Sequence, residues 1–290
     1  MRAAHRLALL TGAATLLLIL AGGLVTNTGS ALAVPDWPTT FGHNMFFYPW
    51  SQMVGGIFYE HSHRLLGSLV GLLTLGLAAA LWRVGGGLRV AGIVAALAVI
   101  GQGVLGGLRV VLLQDALAIL HGCLAQAFFA LVAALALATS SRGQQPVAPI
   151  EPGVRTATLL AAGLVYVQIV FGALLTHAGW LQVHLVGALA VFALVPVAAA
   201  RLRRAGDAVA VPLAGGLLAL LALQLVLGVA TLVARLAPEV VPAPALLLGL
   251  PVAHRLAGSL ILAVSVMLAL RVWSAVREAP TLREAAQTTA

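Results

Sequence analysis

Residues 60–82 read EHSHRLLGSLVGLLTLGLAAALW. From His63 onward the stretch is a run of twenty residues in which Arg64 is the one fixed charge. About twenty apolar residues are what an α-helix needs to cross the hydrocarbon of a bilayer. Seven more runs of this kind flank it, and together the eight are 7–25, 63–82, 90–111, 118–138, 156–175, 182–200, 211–234 and 252–273. Lipid offers no partner for an open backbone N–H or C=O, so each run is expected to be a helix. Composition agrees. Of 290 residues 61% are hydrophobic and 8% charged, whereas soluble domains carry about 25% charged residues. Such a chain can neither coat a soluble globule nor remain disordered. The fold class is an all-α polytopic membrane protein with eight transmembrane helices.

The first run follows Arg2 and Arg6 and precedes Ala31-Leu32-Ala33, a pattern shared with signal peptides. Its apolar core is longer than a signal core of about 7–15 residues, so a retained helix is expected. The net charge is +8 and every basic residue is arginine, 16 in all. The arginines are scattered between apolar runs, which is not the concentrated basic face that nucleic acid requires. Twelve of them (Arg2, Arg6, Arg83, Arg89, Arg142, Arg155, Arg201, Arg203, Arg204, Arg271, Arg277 and Arg283) fall on one side, against Arg109 and Arg235 on the other. The positive-inside rule then puts both termini in the cytoplasm. The outer loop 26–59 carries half of the chain's aromatic residues, Trp37, Phe41, Phe46, Phe47, Tyr48, Trp50, Phe58 and Tyr59. Aromatic residues favour the headgroup layer, so the loop is expected to lie on the outer surface as a cap or an anchor.

Several stretches recur. Gly22-Gly23-Leu24-Val25-Thr26-Asn27-Thr28-Gly29 resembles Gly172-Ala173-Leu174-Leu175-Thr176-His177-Ala178-Gly179. Gln102-Gly103-Val104-Leu105-Gly106 resembles Gln224-Leu225-Val226-Leu227-Gly228, and Gln168-Ile169-Val170-Phe171-Gly172 is similar to both. His63-Arg64-Leu65-Leu66-Gly67-Ser68 resembles His254-Arg255-Leu256-Ala257-Gly258-Ser259. The expected organisation is two pseudo-symmetric four-helix bundles, 1–140 and 156–290, joined by a cytoplasmic linker, 141–155.

Ionisable groups inside spans are costly and mark function. Of eight histidines, His63, His121, His184 and His254 fall one in each even-numbered helix, near its outer start. Paired imidazoles on facing helices are a way for a bundle to hold haem iron axially. Nearby Gly67, Gly122, Gly187 and Gly258 would let a flat macrocycle approach the backbone. Zinc fits less well, because no acidic or cysteine ligand accompanies most of these histidines. The single cysteine, Cys123, is expected to pack as a small residue, and no intramolecular disulfide can form. His5 and His43 are expected to be solvated, and His61 points away from His63.

Glu60 shares a helix face with His63 and lies four residues before Arg64. It has no counterpart near His184, so only one of the two pairs has a carboxylate beside it. A reacting site has use for that, for proton transfer or for stabilising positive charge. An ion pair with Arg64 is the plainer alternative. Arg64 and Arg255 could hold haem propionates or snorkel to headgroups. These residues leave open an enzyme acting on haem, a dihaem b-type cytochrome that only passes electrons, a haem exporter or chaperone, and a transporter without haem.

Pro35-Asp36-Trp37-Pro38-Thr39-Thr40-Phe41-Gly42, Glu60-x-x-His63-Arg64 and one histidine per even helix resemble the haem A synthase family, the COX15/CtaA proteins, over nearly the whole chain. The resemblance implies an oxidoreductase that converts the C8 methyl of haem O to a formyl group, making haem A for terminal oxidases. It implies a haem b cofactor on His184 and His254 and substrate haem O near His63 and His121, with Glu60 needed for turnover. It implies residence in the cell's inner (plasma) membrane, haem sites toward the outer face, and a haem O synthase as donor of substrate. The cysteine pair of some members is absent here, and so is the arginine usually found beside the His184 position, with His177 close by.

Overall fold

The structure, a computed structural model, describes residues 1–278; Arg283 and the end of the 156–290 segment lie outside the described residues. Eight helices follow in order: α1 Arg2–Asn27, α2 Gly55–Val84, α3 Gly86–Leu112, α4 Asp115–Thr139, α5 Pro152–Ala178, α6 Leu181–Arg204, α7 Ala210–Leu236 and α8 Pro244–Glu278. All eight are long and apolar enough to span a membrane, and among the described residues no strand occurs. The protein is thus an all-helical, multi-pass membrane protein.

The helices outrun the apolar runs that announce them. α2 begins at Gly55, eight residues before the expected start at 63, so the long loop is 28–54. Its extra turns carry Glu60 and His61, which are 5% and 1% exposed. A hydropathy rule stops at such residues; the helix continues because both side chains find partners inside the protein. α8 likewise starts at Pro244 rather than at 252. Two turns rely on glycine. Gly85 (φ 85°) is the single residue between α2 and α3, and Gly179 (φ 76°) ends α5 in the left-handed region.

α1 packs on α2 and α4, α2 on α3, and α3 on α4. The same adjacency recurs with α5 on α6 and α8, α6 on α7, and α7 on α8. α8 also lies against α1 and α4, and α4 against α5. One buried cluster, with Val70, Leu77, Leu81, Phe128 and Val132, sits within the first four helices. A larger one, with Val165, Val195, Leu202, Leu217, Leu262 and Leu268, is built mainly from the last four and takes in Ala130 of α4 and Ile150 of the α4–α5 connection. Ile19, Phe129 and Ala263 join the two groups. Outward faces are apolar as well: Leu72, Leu97, Leu160, Leu189 and Val226 are exposed, which suits contact with lipid tails.

The end of the molecule that carries residue 1 is tied by one arginine. Arg271 of α8 is 3% exposed, so it is not the loop arginine that its place in the charge pattern implies. Its Nε and Nη2 donate to the two carboxylate oxygens of Asp207 at 3.0 and 2.8 Å. Its Nη1 and Nη2 donate to the carbonyls of Gln145 and Pro146, each at 2.7 Å. Asp207 also accepts from the N–H groups of Ala148, Val209 and Ala210. The connection between α4 and α5, the start of α7 and the body of α8 therefore meet at one buried ion pair. Burial raises the Asp207 pKa, but the bonds from Arg271, Ala210 and Ala148 outweigh it and hold the carboxyl at about 2, below its ordinary 3.8.

Removing one partner of a buried pair leaves an uncompensated charge and costs about 3–5 kcal/mol. Asp207→Ala and Arg271→Ala should each lower the thermal unfolding temperature of the detergent-solubilised protein, followed by circular dichroism. Asp207 has a depressed folded pKa, so its contribution is full above 3.8 and is lost as pH falls towards about 2. The unfolding temperatures of wild type and Asp207→Ala should therefore converge in that window.

Candidate functional site

Each of the four histidines stands in the first eleven residues of its helix, and each ring lies against a glycine of the preceding helix. A Cβ on Gly22 would come within 3.0 Å of the His63 ring, and one on Gly106 within 3.3 Å of His121. Gly172 and Gly228 meet His184 and His254 in the same way, at 3.5 and 3.2 Å. Four glycines thus form four notches, each letting an imidazole press onto a helix backbone.

Four residues before three of these glycines stands a glutamine, one turn along the same face. The Gln102 carboxamide, turned so that both its ends are satisfied, pairs with Nδ1 of His121 at 2.9 Å. Gln168 pairs with Nδ1 of His184 at 3.2 Å and donates to its main-chain carbonyl at 3.0 Å. Gln224 pairs with Nε2 of His254 at 3.2 Å. In α1 the corresponding position is Leu18, which has no side-chain bond to offer. The sequence displays these glutamines as a repeat without revealing their partners. The signal that could have done so is the cost of a carboxamide in a membrane span, which demands a hydrogen-bond partner at each site.

The histidines come together in two pairs. The rings of His63 and His121 have centroids 6.4 Å apart and planes at 78°. Those of His184 and His254 are 6.2 Å apart at 70°. It is the ring of His184, not of His177, that faces His254. Two coordinate bonds of about 2 Å each, with the ring centres roughly 1 Å behind the nitrogens, span about 6 Å. Both pairs therefore fit an iron held axially between imidazoles. Nδ1 of His63 and Nδ1 of His254 are buried without a hydrogen-bond partner, as expected of rings arranged for a ligand. Among the described residues no three histidine, cysteine, aspartate or glutamate side chains converge, so a closed zinc site is not built here.

Loop 28–54 is fastened over the start of α2. Glu60 accepts from the N–H groups of Leu32 and Val34 on Oε2, at 2.9 and 3.0 Å, and from Arg64 on Oε1 at 2.7 Å. Arg64 also donates to the carbonyls of Val34, Asp36 and Thr39. The Glu60–Arg64 ion pair that the sequence offers as an alternative is thus present, and the other carboxylate oxygen and the guanidinium are also bonded to the loop. His61 pins the same loop, its Nδ1 paired with Thr40 Oγ1 at 3.1 Å and its ring against Tyr48. The Trp37 indole covers Gly107, next to the Gly106 notch of His121, and any Cβ there would collide with it. Asp36 accepts from the N–H groups of Phe41 and Gly42 and from the Thr39 hydroxyl. Burial, the largest single influence, raises its pKa, but those bonds together outweigh it and keep its carboxyl below the ordinary value.

Other candidates lie elsewhere. Arg255 follows His254 and reaches towards Gly23 of α1, with no carboxylate partner among the described residues. Cys123 is buried and free, and its carbonyl accepts from the Tyr166 hydroxyl at 3.4 Å, joining α4 to α5. His5, expected in a solvated tail, lies within α1 and bonds to the Ala136 carbonyl at 3.0 Å, because the helix extends to Arg2.

Because Arg64 makes three bonds to the loop, to the carbonyls of Val34, Asp36 and Thr39, Arg64→Ala should release it while the helices stay folded. We expect cleavage within 28–54 to speed up by about tenfold or more in limited proteolysis, the effect of losing about 1.4 kcal/mol or more of closure. Arg64→Lys should fall between the two, since one ammonium cannot reach all four acceptors.

Residues 5–183 match the family model COX15-CtaA, described as a cytochrome oxidase assembly protein. The match takes in α1 to α5 with His63 and His121 and stops one residue before His184. The chain is also similar to the heme A synthase of Shouchella clausii (strain KSM-K16), 33% identical over 180 residues, which are 59% of this chain and 58% of that protein. With most of its length matched, through the loop and the first histidine pair, the chain belongs to the COX15–CtaA family of cytochrome oxidase assembly proteins.

Proposed function

We propose that this protein is a haem A synthase, an oxidoreductase that converts the C8 methyl group of haem O into a formyl group and so makes haem A for terminal oxidase assembly. The observation that carries the reading is the pair of matched bis-histidine sites, 6.4 and 6.2 Å between ring centres, in a chain of this family. The name of the Shouchella relative supports it.

In this reading His63 and His121 hold the substrate haem O, and His184 and His254 hold a resident haem b. Turning –CH3 into –CHO takes one oxygen atom from a water molecule and releases four protons and four electrons, and a haem b would supply the one-electron chemistry that passes those electrons on to an external acceptor. The rest falls to the chain's own residues. The glycine notches set how close each ring stands to its neighbouring helix. Gln102, Gln168 and Gln224 donate to the rings of His121, His184 and His254 and so limit how each ring turns. Trp37 and the loop close over the first pair and limit the water that reaches it. Glu60 is a positioning residue here, holding that loop through Leu32, Val34 and Arg64. Arg255 is the guanidinium left free to pair with a propionate. The haem sites would face outside the cell's inner membrane, both termini would be cytoplasmic, and a haem O synthase would deliver the substrate.

A dihaem b-type cytochrome is the second reading, favoured by the near-equality of the two ring spacings. Chromatography of haems extracted from the purified protein, produced beside a source of haem O, separates the two. The synthase should yield haem B together with haem O or haem A, whereas haem B alone, at about two per chain, would establish the cytochrome. His184→Ala should lose haem B first. Glu60→Ala should retain haem O while forming about 100-fold less haem A, the scale on which a misplaced substrate loses rate.

A further inference from the structure

We infer that Arg109 is the cation that anchors a propionate of the haem held by His63 and His121, and so a positioning residue of the first site. This rests on the haem-binding reading above and deepens it at that pair. The steps His63-Arg64 and His254-Arg255 place one guanidinium next to a ligand in each half. They do not leave both free. Arg64 serves Glu60 and three loop carbonyls, whereas Arg255 has no carboxylate partner among the described residues.

Arg109 stands half-buried in the last turn of α3. It follows Gly106, whose notch receives the His121 ring, by three residues, and Gln102, which pairs with that ring, by seven. Such spacings keep one helix face, so Arg109 lies over the first pair from one turn further out. Its charge is felt at the rings of both His63 and His121 and at neither ring of the second pair. The charge of Arg255 is felt at His254 and at neither ring of the first pair. Among the described residues the Arg109 side chain makes no hydrogen bond and no ion pair, not even with Asp115 at the start of α4. At the matching register of α7 stands Thr231, whose hydroxyl donates to the Leu227 carbonyl. Each pair thus has one guanidinium without a carboxylate, supplied by α3 at the first and by α8 at the second.

A haem carries two propionate carboxylates, and a carboxylate taken out of water without a partner is costly. A guanidinium meets a carboxylate through two parallel N–H donors, which sets direction as well as affinity. On the rim of haem O the C8 methyl is the neighbour of one propionate, so an anchored propionate also fixes where that methyl lies. The plainer role, snorkelling to the headgroups, would leave the affinity for haem untouched.

The test changes the arginine and the carboxylate in turn. The full-length protein, purified in detergent from haem-deficient cells, is titrated with haemin and separately with haemin dimethyl ester, whose propionates are neutral. Binding is read from the Soret band. The unaltered chain should bind two haemins, each about tenfold or more tightly than the ester. Arg109→Leu should weaken one of the two haemins about 10–100-fold and leave binding of the ester unchanged. The preference for free propionates then disappears at one site and persists at the other. An Arg109→Leu chain that binds both haemins as before would overturn the inference. So would one that weakens haemin and ester alike, the mark of a purely structural role, or one that weakens both haemins equally. An unaltered chain without the preference rejects it too. Should Arg109→Leu fail to fold, Arg109→Gln, long and polar but uncharged, decides by the same criteria. A chain that binds neither haemin nor its ester overturns the haem-binding reading itself, and this inference with it.

Discussion

Hydrocarbon donates and accepts no hydrogen bonds, so a polar side chain within a span must find its partner in the protein. The arrangement of this molecule follows from that need. Three glutamines in odd-numbered helices meet three histidines in even-numbered ones, and the glycine one turn further on lets each ring come close enough for the bond. Helix pairing is thereby specified at the depth of the histidines. Apolar packing alone would leave more freedom, since lipid tails compete with leucine on equal terms.

Two arginines do comparable work at opposite ends of the bundle, and by the same means. Arg64 joins a carboxylate to three loop carbonyls, and Arg271 joins a carboxylate to two carbonyls of the α4–α5 connection. A guanidinium suits the task because its planar array of donors serves several acceptors at once. In each case a connection that would otherwise lie loose on the membrane surface is held against the helices. The connection at the histidine end carries the Pro-Asp-Trp-Pro stretch and brings Trp37 beside the first pair.

The first and last four helices share an adjacency pattern and a notch geometry, and they differ at two places that bear on chemistry. Loop 28–54 is fastened to Glu60, His61 and Arg64 at the start of α2, whereas only Gly179 and Trp180 separate α5 from α6. Leu18 stands where the other three histidines have a glutamine. Both departures fall on the same side of the molecule, around His63.

Much of this was legible in the residue order. Hydropathy alone determined eight helices, because the bilayer admits no other element for runs of that length. The histidine in each even helix, and the glutamine and glycine spaced by one turn, were visible as repeats. Boundaries were less so: α2 begins at Gly55, and nothing in a hydropathy window shows that Glu60 and His61 will be buried with partners from a loop more than twenty residues away in sequence. The main-chain partners of Glu60 were hidden for the same reason. Read along the chain Glu60 is an acid near His63 that could react or pair with Arg64; in the fold it pairs with Arg64 and also accepts from the main chain of Leu32 and Val34. The spacing of residues along a helix sets which face each side chain occupies, and the sequence determines that without help. Which face meets which, and so which polar group is satisfied by which partner, depends on contacts between distant segments, and only the tertiary structure decided it.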